Sequence, residues 1–393
     1  MIRILTYQEH PRGKEIFDRY LYLAAYVLPF SPEDVLEDDV LEVDGETITA
    51  QNFLQKSGKK PRKRTKEYQN LLISYGFSSK PKPPQRQISR KDRFKQDRLL
   101  AAELIRSADY KLYNYLYDTG TGASGSSAMP RIRRENLRTL LTVKMDVLDA
   151  ALEAIGTIGG DCGKLLTAEV FRYIPFSASN HVVKLLEAMD VNVCPYCNRL
   201  YTMTLTRDGE KSRPQFDHYK SKSLYPHFAI SLMNLVPSCG LCNQGKGDRD
   251  EAVLYPYSDE MGLDAVFITK PETGVNYLTG NQDALDEFSV KLQVADSLSK
   301  ELREKIRQSD EAFNLTALYN QHKDYILYLF WKKYVFSDEY LQMLLESFPE
   351  VFHSLQDVKS MIYLMDIEQP QWGRRSLAKL THDIDLEMSV GAK

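Results

Sequence analysis

Cysteine is scarce in this chain, and its scarcity excludes one class of protein at once. The 393 residues include five cysteines, an odd number at low density, which does not suit a small secreted scaffold held together by disulfides. Long hydrophobic runs are also missing. The longest, from Tyr20 to Phe30, has 11 residues with Pro29 among them, whereas a membrane-spanning helix needs roughly 20. The first ten residues lack the apolar core of a secretory signal. We therefore expect a cytoplasmic protein with reduced cysteines and no membrane partner.

A strong net charge is absent as well, but the average hides a local asymmetry. Lys and Arg number 51 against 54 Asp and Glu, a formal charge of −3. Between Lys56 and Arg98 there are 15 basic and 3 acidic residues, so this basic segment carries +12 and the rest of the chain −15. An acidic run at 33–46 precedes it. The two stretches could pair within one domain, or the basic segment could contact nucleic acid, and the sequence leaves both interpretations open.

Apolar periodicity predicts helices on both sides of a central, less regular part. Leucines spaced about four residues apart predict helices over Leu99–Asp118, Glu135–Ile155 and 178–189. The Gly- and Ser-rich stretch 119–130 is typical of a flexible linker or loop. The predicted domains are a helical N-terminal region (1–118) that includes the basic segment (56–98), the linker (119–130), a helical connector (131–190), a central core (191–260) and a mainly helical C-terminal region (261–393).

The C-terminal region begins with a predicted strand pair. Ala265–Thr269 and Val275–Leu278 are strand-like runs, and the PETG sequence between them is typical of a turn. Helices are predicted over Leu292–Ile306 and Leu315–Phe336, with further helices after Leu341.

Four of the five cysteines form a spacing that predicts a metal site. Cys194 and Cys197 make one CxxC knuckle, and Cys239 and Cys242 make a second after 41 intervening residues. Two such knuckles supply four thiolates to a tetrahedral Zn²⁺, the closed shell of a structural site with no position left for chemistry. A redox pair or unrelated buried thiols are the alternatives. Cys162 stands outside the pattern.

Polar residues follow in a fixed order within this frame. Asp217-His218 ends a strand that we expect to pair, as Pro214–His218, with Tyr201–Leu205 in a hairpin. Asn234 precedes the second knuckle, Asn243 follows its last cysteine, and Lys246-Gly247 comes soon after. The order CxxC, DH, N, CxxCN and KG resembles the HNH nuclease superfamily, in which many members carry a ββα-metal site within a zinc ribbon. The run KSLYP after the DH pair is similar to one bacterial subgroup. The resemblance covers roughly residues 190–260.

The resemblance implies a role for each of these residues. His218 would be the general base, a role that suits imidazole because its pKa lies near neutrality. Asp217 and Asn243 would hold a catalytic Mg²⁺ or Mn²⁺ through oxygen atoms, the donors that hard cations prefer. Asn234 would fix the loop that orients the histidine. Basic residues would meet the phosphates of the nucleic acid: Lys246, Arg207, Arg213, Lys220 and Lys222.

The fold class expected from the resemblance is α+β, a mostly helical chain with a central zinc-stabilised ββα-metal nuclease core at 191–260. The expected activity is metal-dependent hydrolysis of DNA phosphodiester bonds. Members of the similar bacterial subgroup often act in defence against phage or foreign DNA beside an ATPase. This chain has no GxxxxGK[ST] sequence, so an ATPase or sensor would be a separate partner. Because one such site makes one cut, double-strand cleavage calls for a homodimer or two sequential nicks.

Two other functions stay open at this point. The first is a non-catalytic zinc-ribbon adaptor that binds nucleic acid, for which His218 would be dispensable. The second is an HNH ribonuclease toxin, because a site that contacts phosphate acts on RNA as well as DNA.

Overall fold

The chain divides into two structural units and passes between them four times, and each unit is described by itself. The computed structural model describes residues 1–60, 90–118, 130–142, 145–207, 210–250 and 252–390. The N-terminal unit comprises Thr6–Met189 and His218–Leu235; the cysteine unit comprises Met1–Leu5, Asp190–Asp217 and Val236–Lys393. The predicted linker, apart from residue 130, and most of the basic segment (61–89) lie outside the described residues.

The N-terminal unit is built mainly from helices around α1. Its elements are α1 (Gly13–Val27), α2 (Pro32–Val35), β1 (Leu41–Val43), β2 (Glu46–Ile48), α3 (Phe53–Lys56), α4 (Arg90–Ala108), α5 (Tyr110–Leu116), α6 (Arg134–Thr142), α7 (Met145–Ile155), α8 (Gly160–Leu165), α9 (Tyr173–Ser177) and α10 (Asn180–Met189).

Helix α1 is apolar on most of its surface because it is surrounded by the rest of this unit. Its residues Tyr20 to Ala25 are all buried, and α10, β1 and α9 pack against it. The Tyr20 hydroxyl lies 2.6 Å from the carbonyl oxygen of Leu141 and 2.9 Å from that of Ile230. This buried hydroxyl therefore ties the segment 218–235 to the core of the N-terminal unit.

The cysteine unit combines short strands with a helical C-terminal part. Its elements are β3 (Leu205–Arg207), β4 (Glu210–Ser212), β5 (Gln215–His218), β6 (Leu235–Ser238), α11 (Gly240–Lys246), β7 (Ala265–Pro271), β8 (Phe288–Val294), α12 (Lys300–Phe313), α13 (Leu315–Tyr319), α14 (Lys323–Val335), α15 (Asp338–Ser347), α16 (Leu355–Tyr363) and α17 (Ala378–Val390). Strands β5 and β6 pair where the chain leaves this unit and returns to it, so His218 and Leu235 at their ends belong to the other unit.

The predicted hairpin between Tyr201–Leu205 and Pro214–His218 is wrong. Strand β3 pairs with β4 instead, with Leu205 opposite Ser212, and β5 pairs with β6. The difference in burial between the two strand pairs explains this pairing. All residues of β3 and β4 are exposed, whereas β6 is wholly buried and three of the four residues of β5 are buried.

Two further predictions in the C-terminal region are wrong because β7 pairs with a strand later in the chain than expected. Strand β7 forms as predicted, but its antiparallel partner is β8, with Ala265 opposite Val294. Residues 276–279, in the predicted second strand, form a 3₁₀ turn instead. The start of the predicted helix Leu292–Ile306 is the end of β8, and α12 begins only after Ser299, whose hydroxyl caps it at Leu302 N. The alternating sequence of β8, with Phe288 and Val290 buried, has the period of a strand.

The described chain is thus α+β and mostly helical, with small two-stranded sheets, as expected for the fold class. Within the described ranges no helix combines the length and the apolar composition that crossing a bilayer requires.

Candidate metal centre and histidine site

The four cysteines of the two knuckles converge in the cysteine unit, as their spacing predicts. Their sulfur atoms all lie within 4.8 Å of one another, and all four side chains are buried. We call Cys194, Cys197, Cys239 and Cys242 the four-cysteine cluster. The Sγ atoms of Cys197 and Cys239 are 4.0 Å apart, close to the ~3.8 Å that ligands at about 2.3 Å from a tetrahedral zinc would have. The donor set therefore fits a structural Zn²⁺.

Local backbone geometry turns each cysteine pair toward one point. In the first knuckle the amide of Asn198 donates to the carbonyl of Cys194 at 2.8 Å, and Asn198 itself is left-handed at φ 48°. Asparagine tolerates that conformation better than most residues. In the second knuckle Cys239 precedes α11 as its N-cap residue, and Asn243 N donates to Cys239 O at 3.0 Å.

Electrostatics supports a cation in this cluster. Burial raises the pKa of the Cys194 thiol, since a thiolate loses its hydration there. Four buried thiolates could stay ionised together only around a positive charge, and Zn²⁺ supplies it. Cys162, half-buried, lies outside the cluster as expected.

Asp217 is buried in the cysteine unit with partners on both carboxylate oxygens. Its side chain is 1% exposed; the Tyr196 hydroxyl donates to Oδ2 at 2.6 Å, and Lys246 Nζ lies 3.3 Å from Oδ1. Lys246 is 2% exposed, so the two form a buried ion pair. Tyr196 stands inside the first CxxC and stacks on Phe313 with ring centroids 4.2 Å apart. The knuckle that holds two thiolates thus also positions the aspartate.

Asn243 lies on the first turn of α11 and is half-buried. Its amide nitrogen donates to Gln215 Oε1 at 2.7 Å, and Gln215 begins β5, two residues before Asp217. Because this hydrogen bond uses Nδ2, the Oδ1 atom is the one that Asn243 could offer to a cation. Asp217 and Asn243 as metal ligands, and Lys246 as a phosphate contact, stay predictions.

His218 is the last residue of β5 and the first residue of the segment 218–235 of the N-terminal unit, and its ring is held in one orientation. Nε2 lies 2.8 Å from the carbonyl oxygen of Ala229, and the Tyr173 ring meets the imidazole edge-on with centroids 4.4 Å apart. A carbonyl oxygen can only accept, so Nε2 carries the proton and, in the neutral ring, Nδ1 is the basic nitrogen. The ring is 6% exposed.

Asn234 braces the loop between the two strands from within the N-terminal unit. Its Oδ1 accepts from Lys220 N at 2.7 Å, and its Nδ2 donates to the carbonyls of Lys220 and Phe228 at 3.0 and 2.9 Å. The Asn234 carbonyl accepts from Tyr219 N at 2.9 Å. One buried side chain thereby ties the residues directly after His218 to the 3₁₀ turn that precedes Ala229, the partner of its ring.

The basic residues expected at a nucleic-acid rim are found in varied environments. Arg207 is exposed on β3, and Arg213 is half-buried with Nη1 3.4 Å from Pro214 O. Lys220 and Lys222 lie over the rings of Tyr225 and Tyr173, at 5.7 and 5.5 Å from the centroids. Their contact with nucleic acid stays a prediction.

Sequence reasoning missed two aromatic residues of these sites. Tyr196 was visible only as the second x residue of a CxxC motif, and Tyr173 lies in a region where no motif stands out. The Ala229 carbonyl is a backbone group, so the residue type at position 229 does not identify it as the partner of His218.

Comparisons with known proteins give distant and partial similarities. No family profile matches the chain, and no solved structure matches it. Septu protein PtuB of Bacillus thuringiensis is 31% identical over 139 residues, which are 32% of this chain and 51% of that protein. Protein ea31 of Escherichia phage lambda is 28% identical over 101 residues, 24% of this chain and 29% of that protein. The chain thus spans about half the length of the first and under a third of the second, and the HNH resemblance rests on the motif residues.

Proposed function

We propose that this chain is a metal-dependent endonuclease of the HNH type that hydrolyses DNA phosphodiester bonds. In this proposal residues 191–260 form its ββα-metal core and the four-cysteine cluster holds a structural zinc. His218 is the general base, Asn234 positions it, and Asp217 and Asn243 hold the catalytic Mg²⁺ or Mn²⁺.

The environment of His218 is the observation that carries this proposal. A histidine acts as a base only in its neutral form, through the ring nitrogen that carries no proton. The 2.8 Å contact of Nε2 with the Ala229 carbonyl fixes the tautomer in which Nδ1 is that nitrogen. Asn234 and Tyr173 hold the loop and the ring on which this contact depends.

The oxygen donors that the proposal assigns to the metal suit a hard cation. Asp217 offers a carboxylate and Asn243 an amide oxygen, and the remaining positions of a Mg²⁺ shell are ordinarily filled by water and substrate phosphate. When bound, such a cation stabilises the negative charge that develops on the phosphate and the leaving oxygen. Lys246 now lies 3.3 Å from Asp217 Oδ1. In the proposal Lys246 balances the charge of this buried carboxylate, and its ammonium would meet a phosphate of the substrate.

The proposal extends to biological setting only through the resemblance. The similar bacterial subgroup favours a role in defence against phage or foreign DNA, with a separate ATPase or sensor partner. RNA in place of DNA is the alternative substrate, and a competition assay with equal amounts of labelled DNA and RNA distinguishes the two.

Cleavage of supercoiled plasmid by the full chain tests the proposal. We expect nicked or linear product with Mg²⁺ or Mn²⁺ and none with EDTA. His218→Ala should lower the rate about 10²–10⁴-fold, the usual contribution of a general base. His353→Ala is the matched control, because His353 is exposed and lies in no part of the site.

Cleavage that persists in His218→Ala would place the active site elsewhere. A chain that folds, binds zinc and cuts neither DNA nor RNA with any metal would favour the non-catalytic adaptor instead.

A further inference from the structure

A cavity of about 640 Å³ lies in the N-terminal unit at the C-terminal end of α1. Its volume is within the range of ~300–1,000 Å³ that small-molecule sites occupy. Residues 28–33, directly after the helix, form one wall, and residues of α4 form another. None of its described lining residues belongs to the four-cysteine cluster or is among the residues assigned to the proposed nuclease site, so that site does not explain it.

The lining carries an excess of positive charge. Among the described lining residues, five are basic and two, Glu33 and Asp97, are acidic; the basic set is Lys59, Lys60, Lys91, Arg98 and Arg172. Such an excess around an otherwise largely apolar cavity favours a ligand with more than one negative charge.

Part of this charge serves the end of helix α1. Lys59 Nζ donates to the carbonyls of Ala25 and Leu28, each at 2.7 Å, and Arg172 Nη1 donates to the carbonyl of Val27 at 3.1 Å. Cations commonly satisfy the last carbonyls of a helix in this way. Capping accounts for two of the five basic residues and leaves Lys60, Lys91 and Arg98 without that explanation.

Arg98 supplies an unused donor. Its Nε atom is buried and has no hydrogen-bond acceptor within the described part of the chain. A buried guanidinium N–H without an acceptor is unfavourable, since it has lost water and gained nothing. The planar guanidinium group matches the geometry of phosphate oxygens and can donate to two of them at once.

An aromatic ring stands next to this donor. Phe94 lies four residues before Arg98 on α4, so both side chains are on one face of the helix. Both line the cavity, together with Phe30 from the opposite wall. Aromatic side chains next to a cationic group are the combination on which nucleotide bases stack while their phosphates are neutralised.

We propose that this cavity binds a nucleotide, with its phosphate at Arg98, Lys60 and Lys91 and its base against Phe94. The nucleotide can be a free mononucleotide or the phosphorylated end of a nucleic-acid strand, which share this chemistry. The site stands independently of the proposed cleavage, because binding here requires neither His218 nor a metal.

Calorimetric titration of the full zinc-loaded chain, in buffer without Mg²⁺ or Mn²⁺, tests the site without involving cleavage. The probes are ATP, 5′-phosphorylated tetrathymidylate and unphosphorylated tetrathymidylate. We expect saturable binding of ATP or of the phosphorylated strand, and the better binder identifies the source. Arg98→Gln should weaken that binding about tenfold or more, because a charge-assisted pair is lost. Arg106→Gln is the matched control, since Arg106 is exposed on the same helix two turns later.

A second variant separates the base from the phosphate. Phe94→Leu should weaken binding of ATP and leave binding of pyrophosphate unchanged. If Arg98→Gln lowers the helical signal in circular dichroism, Lys91→Gln at an exposed position replaces it. Absence of saturable binding by every probe up to about 1 mM would overturn the proposal, as would equal losses in Arg98→Gln and Arg106→Gln. If the plasmid assay shows no cleavage, the nucleotide-binding result still stands, because the titration measures binding alone.

Discussion

At the residue scale, His227 shows how much stability in acid can depend on one buried side chain. It is 1% exposed and packs against Phe228, with ring centroids 4.3 Å apart, and neither ring nitrogen has a hydrogen-bond partner within the described residues. Burial lowers the pKa of His227 to about 3. The folded protein therefore keeps this ring neutral well below the pH at which an unfolded histidine, with a pKa of about 6.5, becomes charged.

This difference predicts a specific loss of stability in acid. Between pH 6.5 and 3 the unfolded chain binds a proton at position 227 and the folded chain does not, so stability falls as pH falls. From pH 6.5 to 4.5 the loss from this residue is about 2 kcal/mol. Urea unfolding of wild type and His227→Phe at both pH values measures it: the variant should lose about 2 kcal/mol less. His353→Phe, at an exposed position, should behave like wild type, and parallel curves for all three proteins would refute the pKa assignment.

The sequence predicts the residue types of the candidate site better than their partners. Cysteine spacing predicts the four-cysteine cluster because a CxxC turn places two sulfurs together by local geometry alone. The buried pair of Asp217 and Lys246 could not be predicted. Their side chains meet across 29 residues of sequence, and the sequence predicted Lys246 as a phosphate contact rather than as the partner of Asp217. Tertiary packing decides which charged side chains pair, and the periodicity of the sequence does not predict it.

At the scale of elements, the chain follows local signals where they are strong and tertiary pairing where they are weak. The helix predicted over 178–189 is confirmed as α10. The helix predicted over Leu99–Asp118 is interrupted, because Asp109 adopts an extended conformation and its side chain caps α5 at Leu112 N. Aspartate is a preferred N-cap residue, but the leucine periodicity continues through Asp109 and favoured a single helix. The end of strand β8, from Leu292 to Val294, was predicted as the start of a helix, because its pairing with β7 is a contact that local sequence does not specify.

One glycine decides how the 3₁₀ turn between β7 and β8 approaches helix α14. Gly280 is left-handed at φ 72°, and a Cβ added there would lie 2.4 Å from the backbone nitrogen of Trp331. Gly280→Ala should therefore cost about 2–4 kcal/mol of unfolding free energy, from conformational strain plus a steric clash with backbone.

Gly262→Ala is the control for this element. Gly262 is also left-handed, at φ 57°, but its nearest neighbour would be the Gln369 amide at 3.9 Å. It should cost only the strain of about 1 kcal/mol. Chemical denaturation of both variants compares them, and equal losses would mean that α14 does not constrain the turn.

At the scale of the whole molecule, the path of the chain gives the four-cysteine cluster its importance. The two knuckles enclose 41 residues, 198–238, and this stretch contains two of the four passages of the chain between the two units. A metal that joins the knuckles closes this loop and removes much of its freedom in the unfolded state. All four ligands lie in the cysteine unit, so zinc stabilises that unit directly.

Metal analysis of the purified chain should therefore find one zinc per molecule. Cys242→Ser should lose it and lower the free energy of unfolding by about 5 kcal/mol or more, because the remaining buried thiols are left without their cation. Cys162→Ser should keep both the zinc and the stability of wild type, since Cys162 lies outside the cluster. Limited proteolysis adds an independent readout, with faster cleavage inside 198–238 expected only in Cys242→Ser. Full zinc content in Cys242→Ser, or equal losses in both variants, would show that the four cysteines do not act together as one metal site.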